Sequence, residues 1–156
     1  MQPRIVPQSR FYALVPSVRE GLVGIGRAVE RSGLDRRLIE LAKIRASQIN
    51  GCAFCLKMHT ADARRLGESE ERIYLLNAWR EAPCYSAKER AALAWTEALT
   101  RIEGGVPDAV FEEASAHLDE AELAALTWAI AMINAWNRVS ITSRVTPGTY
   151  RPQARR

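Results

Sequence analysis

Residues 40–59 read ELAKIRASQINGCAFCLKMH, and this stretch holds most of the reactive side chains of the chain. It contains two of the three cysteines, Cys52 and Cys55, and one of the two histidines, His59. Asn50-Gly51 in its middle is a helix-breaking pair, because both residues tolerate a positive φ. We therefore expect one helix before this break and another after it, with the rest of the chain forming a helical scaffold around the two.

The remaining sequence is also patterned for helices. Apolar residues recur at three- and four-residue spacing, and no stretch alternates as a strand would. Ser86-Ala-Lys-Glu89 has the form of a capping box, in which two side chains satisfy the free N–H groups of a helix start. We predict helices over residues 17–31, 36–49, 52–66, 69–82, 86–99, 108–117 and 119–139. The predicted fold class is all-α, a bundle of about six or seven helices with short connections.

The chain divides into one domain and two short flanks. Residues 16–148 carry the helical pattern and are predicted to form the single domain. Residues 1–15 contain Pro3 and Pro7 and lead into Pro16, so we predict an extended N-terminal arm whose apolar residues pack onto another surface, such as a neighbouring subunit. Residues 149–156 form a basic C-terminal tail.

The composition argues against several classes of function. With 156 residues, 47% hydrophobic and 26% charged, the chain matches an ordinary soluble globular domain. Its net charge of +4 comes without a basic run carrying interleaved aromatic residues, so we do not expect nucleic-acid binding. The longest uncharged run, residues 123–137, is shorter than the ~20 residues of a membrane span, so we expect a core helix there and no membrane partner.

Cysteine usage indicates the cellular compartment. The first residues contain no apolar segment typical of a secretory signal. Three cysteines are an odd number, and without an export signal they argue against a structural disulfide framework. We therefore expect a reducing, cytoplasmic location, where a close cysteine pair is typical of catalysis or of metal binding.

The two cysteines lie at the predicted start of a helix. Free N–H groups and the positive end of the helix dipole favour a thiolate at such a position. His59 follows Cys55 by four residues and shares its helix face, so that the imidazole can act as the base for the thiol. This arrangement favours Cys55 as the activated nucleophile and Cys52 as its resolving partner.

Glu40 is a candidate for orienting His59. If the helix before the break packs antiparallel to the helix after it, the carboxylate can approach the imidazole and take up its proton. The alternative is a surface ion pair with Arg36, Arg37 or Lys43. Spacing alone leaves both interpretations open.

Other interpretations of the cysteine pair also remain open. Zinc sites use the same spacing, and here Cys52, Cys55 and His59 would need Glu40, the distant His117 or water as the fourth ligand. Two inert buried thiols, a metal-binding or redox-sensing oligomer without turnover, and a general disulfide oxidoreductase are further possibilities. His117 and Cys84 are expected to have no catalytic role.

A wider set of residues resembles the alkylhydroperoxidase D-like core of the carboxymuconolactone decarboxylase superfamily, in its short single-core branch. The matching residues are Glu40, Cys52, Cys55 and His59 at their spacing, together with positions within 43–51, 77–80, 89–95 and 133–137. The resemblance extends from about residue 11 to residue 148 and implies an all-helical fold. Phe54 departs from the pattern, because the well-studied member has a second histidine there. That histidine is not the family's principal base, so we expect the chemistry to survive.

The resemblance also implies an activity. It implies a thiol peroxidase without cofactor or metal, in which Cys55 is the peroxidatic cysteine, Cys52 the resolving cysteine, and Glu40 and His59 the proton relay. The implied partners are a hydroperoxide and an external dithiol, such as a lipoyl-carrying or thioredoxin-like protein. The implied assembly is a homo-oligomer, commonly a trimer or hexamer. The decarboxylase branch does not rely on a cysteine pair, so the pair argues against that activity here.

Overall fold

The computed structural model describes residues 6–148 and 150 of the chain. These residues form α-helices and one short 3-10 turn without any strand, which confirms the all-α class. There are eight α-helices in this part of the chain, one or two more than expected. Their bounds are α1 Gln8–Leu14, α2 Pro16–Glu30, α3 Arg36–Asn50, α4 Ala53–Arg65, α5 Glu70–Leu75, α6 Ala87–Arg101, α7 Asp108–His117 and α8 Glu120–Thr142, with the 3-10 turn Leu76–Ala78 after α5.

The N-terminal region differs most from its prediction. Residues 8–14 were expected to be extended and instead form α1, which begins directly after Pro7. Pro16 disfavours a helical conformation at the residue before it, and Val15 accordingly leaves the helix at φ −140° and ψ 65° and separates α1 from α2. The two prolines therefore bound a short helix and do not prevent one. Residues 1–5 lie outside the described part of the chain, as does the C-terminal tail except for Tyr150.

Helix α3 is the centre of the bundle. Every residue from Leu38 to Ser47 is buried, because α4, α6 and α8 pack around the helix on different sides. Asp35 caps its start by accepting a hydrogen bond from the N–H of Arg37. A helix enclosed on most of its circumference is the structure expected from its apolar residues, which are spread around most of that circumference.

Helix α8 is the longest, and it is buried on one side. Leu126, Ile130 and Ile133 lie in the core, whereas Trp128 is 60% exposed. The helix begins with a capping box formed by Asp119 and Glu122. No helix in the described part of the chain is long and apolar enough to cross a membrane.

A buried carboxylate ties α6 to α3 and to the turn after α5. Glu97 accepts hydrogen bonds from Arg45 Nε at 2.8 Å, Trp79 Nε1 at 2.9 Å and Arg80 at 2.7 Å. Burial by itself would raise the pKa of Glu97, but these donors outweigh it and lower the pKa to about 2. Helix α5 is shorter than predicted, since the chain turns after Leu75, and this turn leads to the Trp79 position beside Glu97.

Glu97→Gln is expected to lower the free energy of unfolding by about 3 kcal/mol at neutral pH, because Arg45 loses its charged partner inside the core. The native pKa of about 2 lies below the ordinary value of 4.5. The stabilisation is therefore present above pH 4.5 and is lost as the pH falls toward 2. Urea unfolding at a series of pH values should show the difference between wild type and variant shrinking over that interval.

Glu112→Gln, on the exposed side of α7, is the matched control. It removes the same charge without removing a core ion pair, and it should leave both stability and its pH dependence nearly unchanged. Other acidic groups such as Glu40 titrate equally in all three proteins and cancel in the comparison. A Glu97→Gln difference that stays constant down to low pH would contradict the prediction.

Candidate active site

The break between α3 and α4 places the cysteine pair. Gly51 adopts the left-handed conformation at φ 72° and ψ 32°, a region that a side chain disfavours. The next residue, Cys52, is extended and serves as the N-cap of α4. Its N–H donates back to the carbonyl of Ser47 at 3.0 Å, which closes the end of α3. The chain therefore reverses within two residues, and the helix start carrying the cysteines is fixed to the end of α3.

Asparagine side chains hold this break against α8. The Asn50 amide donates to the side-chain oxygens of Asn134 at 2.9 Å and Asn137 at 2.8 Å. Asn137 is fully buried and donates to the Ser47 hydroxyl at 3.0 Å. Sequence analysis did not assign these contacts, although two amides within the apolar run of α8 were a signal that something polar is paired there.

Cys52 and Cys55 form a disulfide with their Cα atoms 5.4 Å apart. Both are buried, with exposed fractions of 2% for Cys52 and 0% for Cys55. They pack against Ile133, and the half-buried rings of Phe54 and Trp136 lie against the same cluster. The N–H of Cys55 donates to the sulfur of Cys52 at 3.3 Å, so that this sulfur also caps the helix. The pair therefore occupies a helix start beneath an apolar cover.

Glu40 and His59 meet across the α3–α4 interface. His59 Nδ1 lies 2.7 Å from Glu40 Oε2, and Lys43 Nζ donates to Glu40 Oε1 at 2.9 Å. All three side chains are buried. Burial would raise the pKa of Glu40, but His59 and Lys43 outweigh it and lower the pKa to about 2. Glu40 is therefore an ionised carboxylate at neutral pH.

Glu40 makes contacts that belong to both of its interpretations, the contact with His59 and an ion pair. The carboxylate contacts His59, as the orienting role requires, and it also pairs with Lys43, but inside the protein and not at the surface. Arg36 and Arg37 lie near other carboxylates, those of Glu30 and Asp35.

The contact with Glu40 determines which nitrogen of His59 can act as a base. An ionised carboxylate has no proton to donate, so Nδ1 carries the hydrogen of this bond. In the neutral ring the lone pair is then on Nε2. Cys55 lies one helical turn before His59 on α4. The three residues therefore place a thiol, an imidazole and a carboxylate in succession, an arrangement that can activate a thiol.

Two further groups join this site and were missed by sequence analysis. Asp62 follows His59 by three residues on α4, and one oxygen each of Glu40 and Asp62 and one ring nitrogen of His59 all lie within 4.8 Å of one another. The hydroxyl of Tyr150 donates to both carboxylate oxygens of Asp62 at 2.8 Å. Helical spacing was a signal for Asp62. Tyr150 lies 88 residues away along the chain and has no local signal.

His117, which the sequence left open as a distant zinc ligand, lies on α7, where its ring is 3.7 Å from Glu113. Cys84 is half-buried and packs beside the cluster formed around Leu76 and Trp79. Neither His117 nor Cys84 therefore belongs to the group around His59.

The helical bundle and the cysteine–histidine–carboxylate site define an alkylhydroperoxidase-type helical protein. The family model described as the carboxymuconolactone decarboxylase family matches residues 11–98, and the chain belongs to this family. An uncharacterized protein of Bacillus subtilis, YdfG, is 43% identical over 132 residues, which cover 84% of this chain and 90% of YdfG.

Solved structures agree with this assignment. A protein of unknown function from Agrobacterium tumefaciens, described as a candidate antioxidant defence protein AhpD, has a TM-score of 0.86 at 38% identity, with 93% of this chain and 100% of that chain covered. The debrominase Bmp8 has a TM-score of 0.81 at 17% identity, covering 91% of this chain and 77% of that chain. The second similarity shows the shared fold alone.

Gly51→Ala is expected to lower the free energy of unfolding by about 1–2 kcal/mol, because alanine disfavours the positive φ of 72°. No atom lies within 4 Å of the added Cβ, so a steric clash does not contribute. Gly21→Ala is the matched control: it also adds a Cβ in open space, but within helix α2, where alanine should stabilise by about 0.5–1 kcal/mol. Urea unfolding measures both, and effects of the same sign would contradict the prediction.

Proposed function

We propose that the protein is a thiol-dependent peroxidase that reduces hydroperoxides through a dithiol–disulfide cycle of Cys52 and Cys55. The observation that carries the proposal is the placement of Cys52 and Cys55 at disulfide-bonding distance at the start of the helix that carries His59, whose ring is bonded to the ionised Glu40. Such a cycle would join the two sulfurs, and the Glu40–His59 pair is the relay that would start it.

The cycle begins with the reduced pair. His59 Nε2 accepts the proton of Cys55, and the electron pair of the broken S–H bond remains on sulfur as a thiolate. The thiolate attacks one oxygen of the hydroperoxide and breaks the O–O bond, which oxidises Cys55 to a sulfenic acid. The released alkoxide takes the proton from His59 and leaves as an alcohol.

The second half of the cycle regenerates the thiols. The thiol of Cys52 attacks the sulfenic acid of Cys55, forming the disulfide and releasing water. An external dithiol then reduces this disulfide, supplying two electrons and two protons and becoming a disulfide itself. We propose a lipoyl-carrying or thioredoxin-like protein of the cytoplasm as this reductant, since both present a dithiol.

The spacing of the two cysteines is compatible with the peroxidase cycle. A sulfenic acid that meets a neighbouring thiol forms a disulfide, and Cys52 lies at the distance that permits this bond. Bmp8 is a debrominase with the same fold, but its 17% identity supports no transfer of substrate to this chain. A general disulfide oxidoreductase and a redox sensor without turnover use the same two sulfurs, and they are outcomes of the tests below.

We also propose that the protein assembles as a trimer or hexamer of identical chains. A groove of about 390 Å³ between α2 and α8 is lined by Ile25, Val29 and small residues, with the exposed ring of Trp128 at its edge. An apolar surface of this kind is typical of subunit contacts. Sedimentation equilibrium measures the mass of the assembly directly.

Cys55→Ser is expected to abolish peroxide consumption in the presence of a dithiol, because no thiolate remains at the attacking position. Cys52→Ser should still react once, leaving Cys55 as a sulfenic acid that oxidises further, since its resolving partner is missing. Peroxide consumption and the intact mass of the protein after one equivalent of peroxide measure the two effects.

Cys84→Ser is the matched control, since it removes the third thiol without touching the pair, and it should retain full activity. Peroxide turnover that survives in Cys55→Ser would refute the assignment. Disulfide formation without turnover would indicate a redox sensor, and faster reduction of a protein disulfide than of peroxide would indicate a general oxidoreductase.

A further inference from the structure

A second carboxylate lies beside His59 without a role in the proposed cycle. Asp62 is half-buried on α4, one turn after His59, and its oxygen lies within 4.8 Å of a ring nitrogen of His59. Tyr150, from the segment after α8, donates one hydroxyl hydrogen to both Asp62 oxygens. Tyr150 therefore joins the segment after α8 to the carboxylate beside the imidazole that is proposed to act as the base.

The charged groups around Asp62 come from three parts of the structure. Glu40 and Lys43 face it from α3, His59 is on α4 with Asp62, and Tyr150 reaches it from the C-terminal segment. Arg65 on α4 interacts electrostatically with Tyr150. Lys57 on α4 lies beside Gly148, near the same segment.

Because Lys43 also binds Glu40, the charge of Glu40 alone does not fully compensate a positive charge on His59. Its ammonium group is hydrogen-bonded to one oxygen of Glu40, so that the negative charge of Glu40 is shared between Lys43 and His59. The positive charge that His59 would gain from Cys55 is then only partly compensated by Glu40 alone. Asp62 supplies the second negative charge in the cluster.

We propose that Asp62, held by Tyr150, is a positioning residue whose negative charge stabilises the imidazolium that His59 forms when it accepts the proton of Cys55. The inference rests on the proposed function, because it requires His59 to be the base for Cys55. In the step concerned, the S–H bond of Cys55 breaks and an N–H bond forms at His59, with no change of oxidation state.

The distances of Asp62 from His59 and from Cys55 decide whether its charge favours or opposes the thiolate–imidazolium state. Asp62 is three residues from His59 and seven from Cys55, which corresponds to about 4.5 Å and about 10.5 Å along the helix axis. The attraction of Asp62 for the imidazolium therefore exceeds its repulsion of the thiolate. The carboxylate should on balance favour the thiolate–imidazolium state.

The hydrogen bond from Tyr150 favours the charged form of Asp62. The pKa of Asp62 is raised on balance, chiefly by burial and also by the neighbouring charge of Glu40, and the hydrogen bond from Tyr150 opposes this rise. Removal of the hydroxyl should therefore weaken the negative charge beside His59 without removing the carboxyl group. The expected effect of Tyr150→Phe has the same direction as that of Asp62→Asn and a smaller size.

The test is a pH titration of thiolate absorbance in a chain whose single thiol is Cys55, made by Cys52→Ser and Cys84→Ser. Serine is itself a favourable N-cap, so this background should retain the start of α4. Asp62→Asn should shift the midpoint upward by roughly 0.5–1 pH unit. Tyr150→Phe should shift it less in the same direction, and Asp62→Glu, which keeps the charge, should restore most of the original midpoint.

The midpoint of thiolate formation separates a positioning role of Asp62 from a merely structural one. Unshifted midpoints in both Asp62→Asn and Tyr150→Phe, with folding verified by circular dichroism, would overturn the inference. A downward shift in Asp62→Asn would also overturn it, since repulsion of the thiolate would then dominate. If Asp62→Asn does not fold, Tyr150→Phe and Asp62→Glu still provide the comparison.

The same titration also distinguishes this inference from the proposed function. Thiolate formation is measured without any peroxide, so the predicted shifts can be present in a protein that turns out not to consume peroxide. In that case the role of Asp62 stands and the peroxidase proposal fails. If the wild type consumes peroxide but the midpoints do not shift, the peroxidase proposal stands and the role of Asp62 fails.

Discussion

The contact between Glu40 and His59 requires more parts of the structure to be in place than any other contact in the site. It joins α3 to α4, and it forms only because the chain reverses at Gly51, where a left-handed residue is required. The reversal is in turn held by Asn50 and Asn137 against α8. Three helices, α3, α4 and α8, therefore cooperate to bring one carboxylate to one imidazole.

Two buried carboxylates in this fold are bonded to partners of different chemistry. Glu97 is surrounded by donors from Arg45, Trp79 and Arg80, and every one of these groups can only donate. Glu40 is bonded to an imidazole, whose ring nitrogens can both donate and accept a proton. The two carboxylates are similarly ionised, but only Glu40 is connected to a group whose charge can change.

Local features of the fold and site were predictable from the sequence, and non-local ones were not. The helix break at Gly51 and the capping box at Ser86 follow from spacing along one chain segment. The meeting of Tyr150 with Asp62 joins residues that are distant in sequence, and no periodicity encodes it. The short helix α1 was missed because its flanking prolines suggest extended chain, although both lie where a helix tolerates them.

The apolar cover over the cysteines has a kinetic consequence. In the proposed cycle an incoming sulfur must touch one of the two sulfurs, yet Cys52 and Cys55 are almost inaccessible and pack with Phe54 and Trp136. The cover must therefore open locally before the disulfide can be reduced, and opening is a first-order event with its own free energy. At high reductant concentration the rate of reduction should reach a plateau set by this opening, so that local stability, and not reductant supply, limits how fast the pair is renewed.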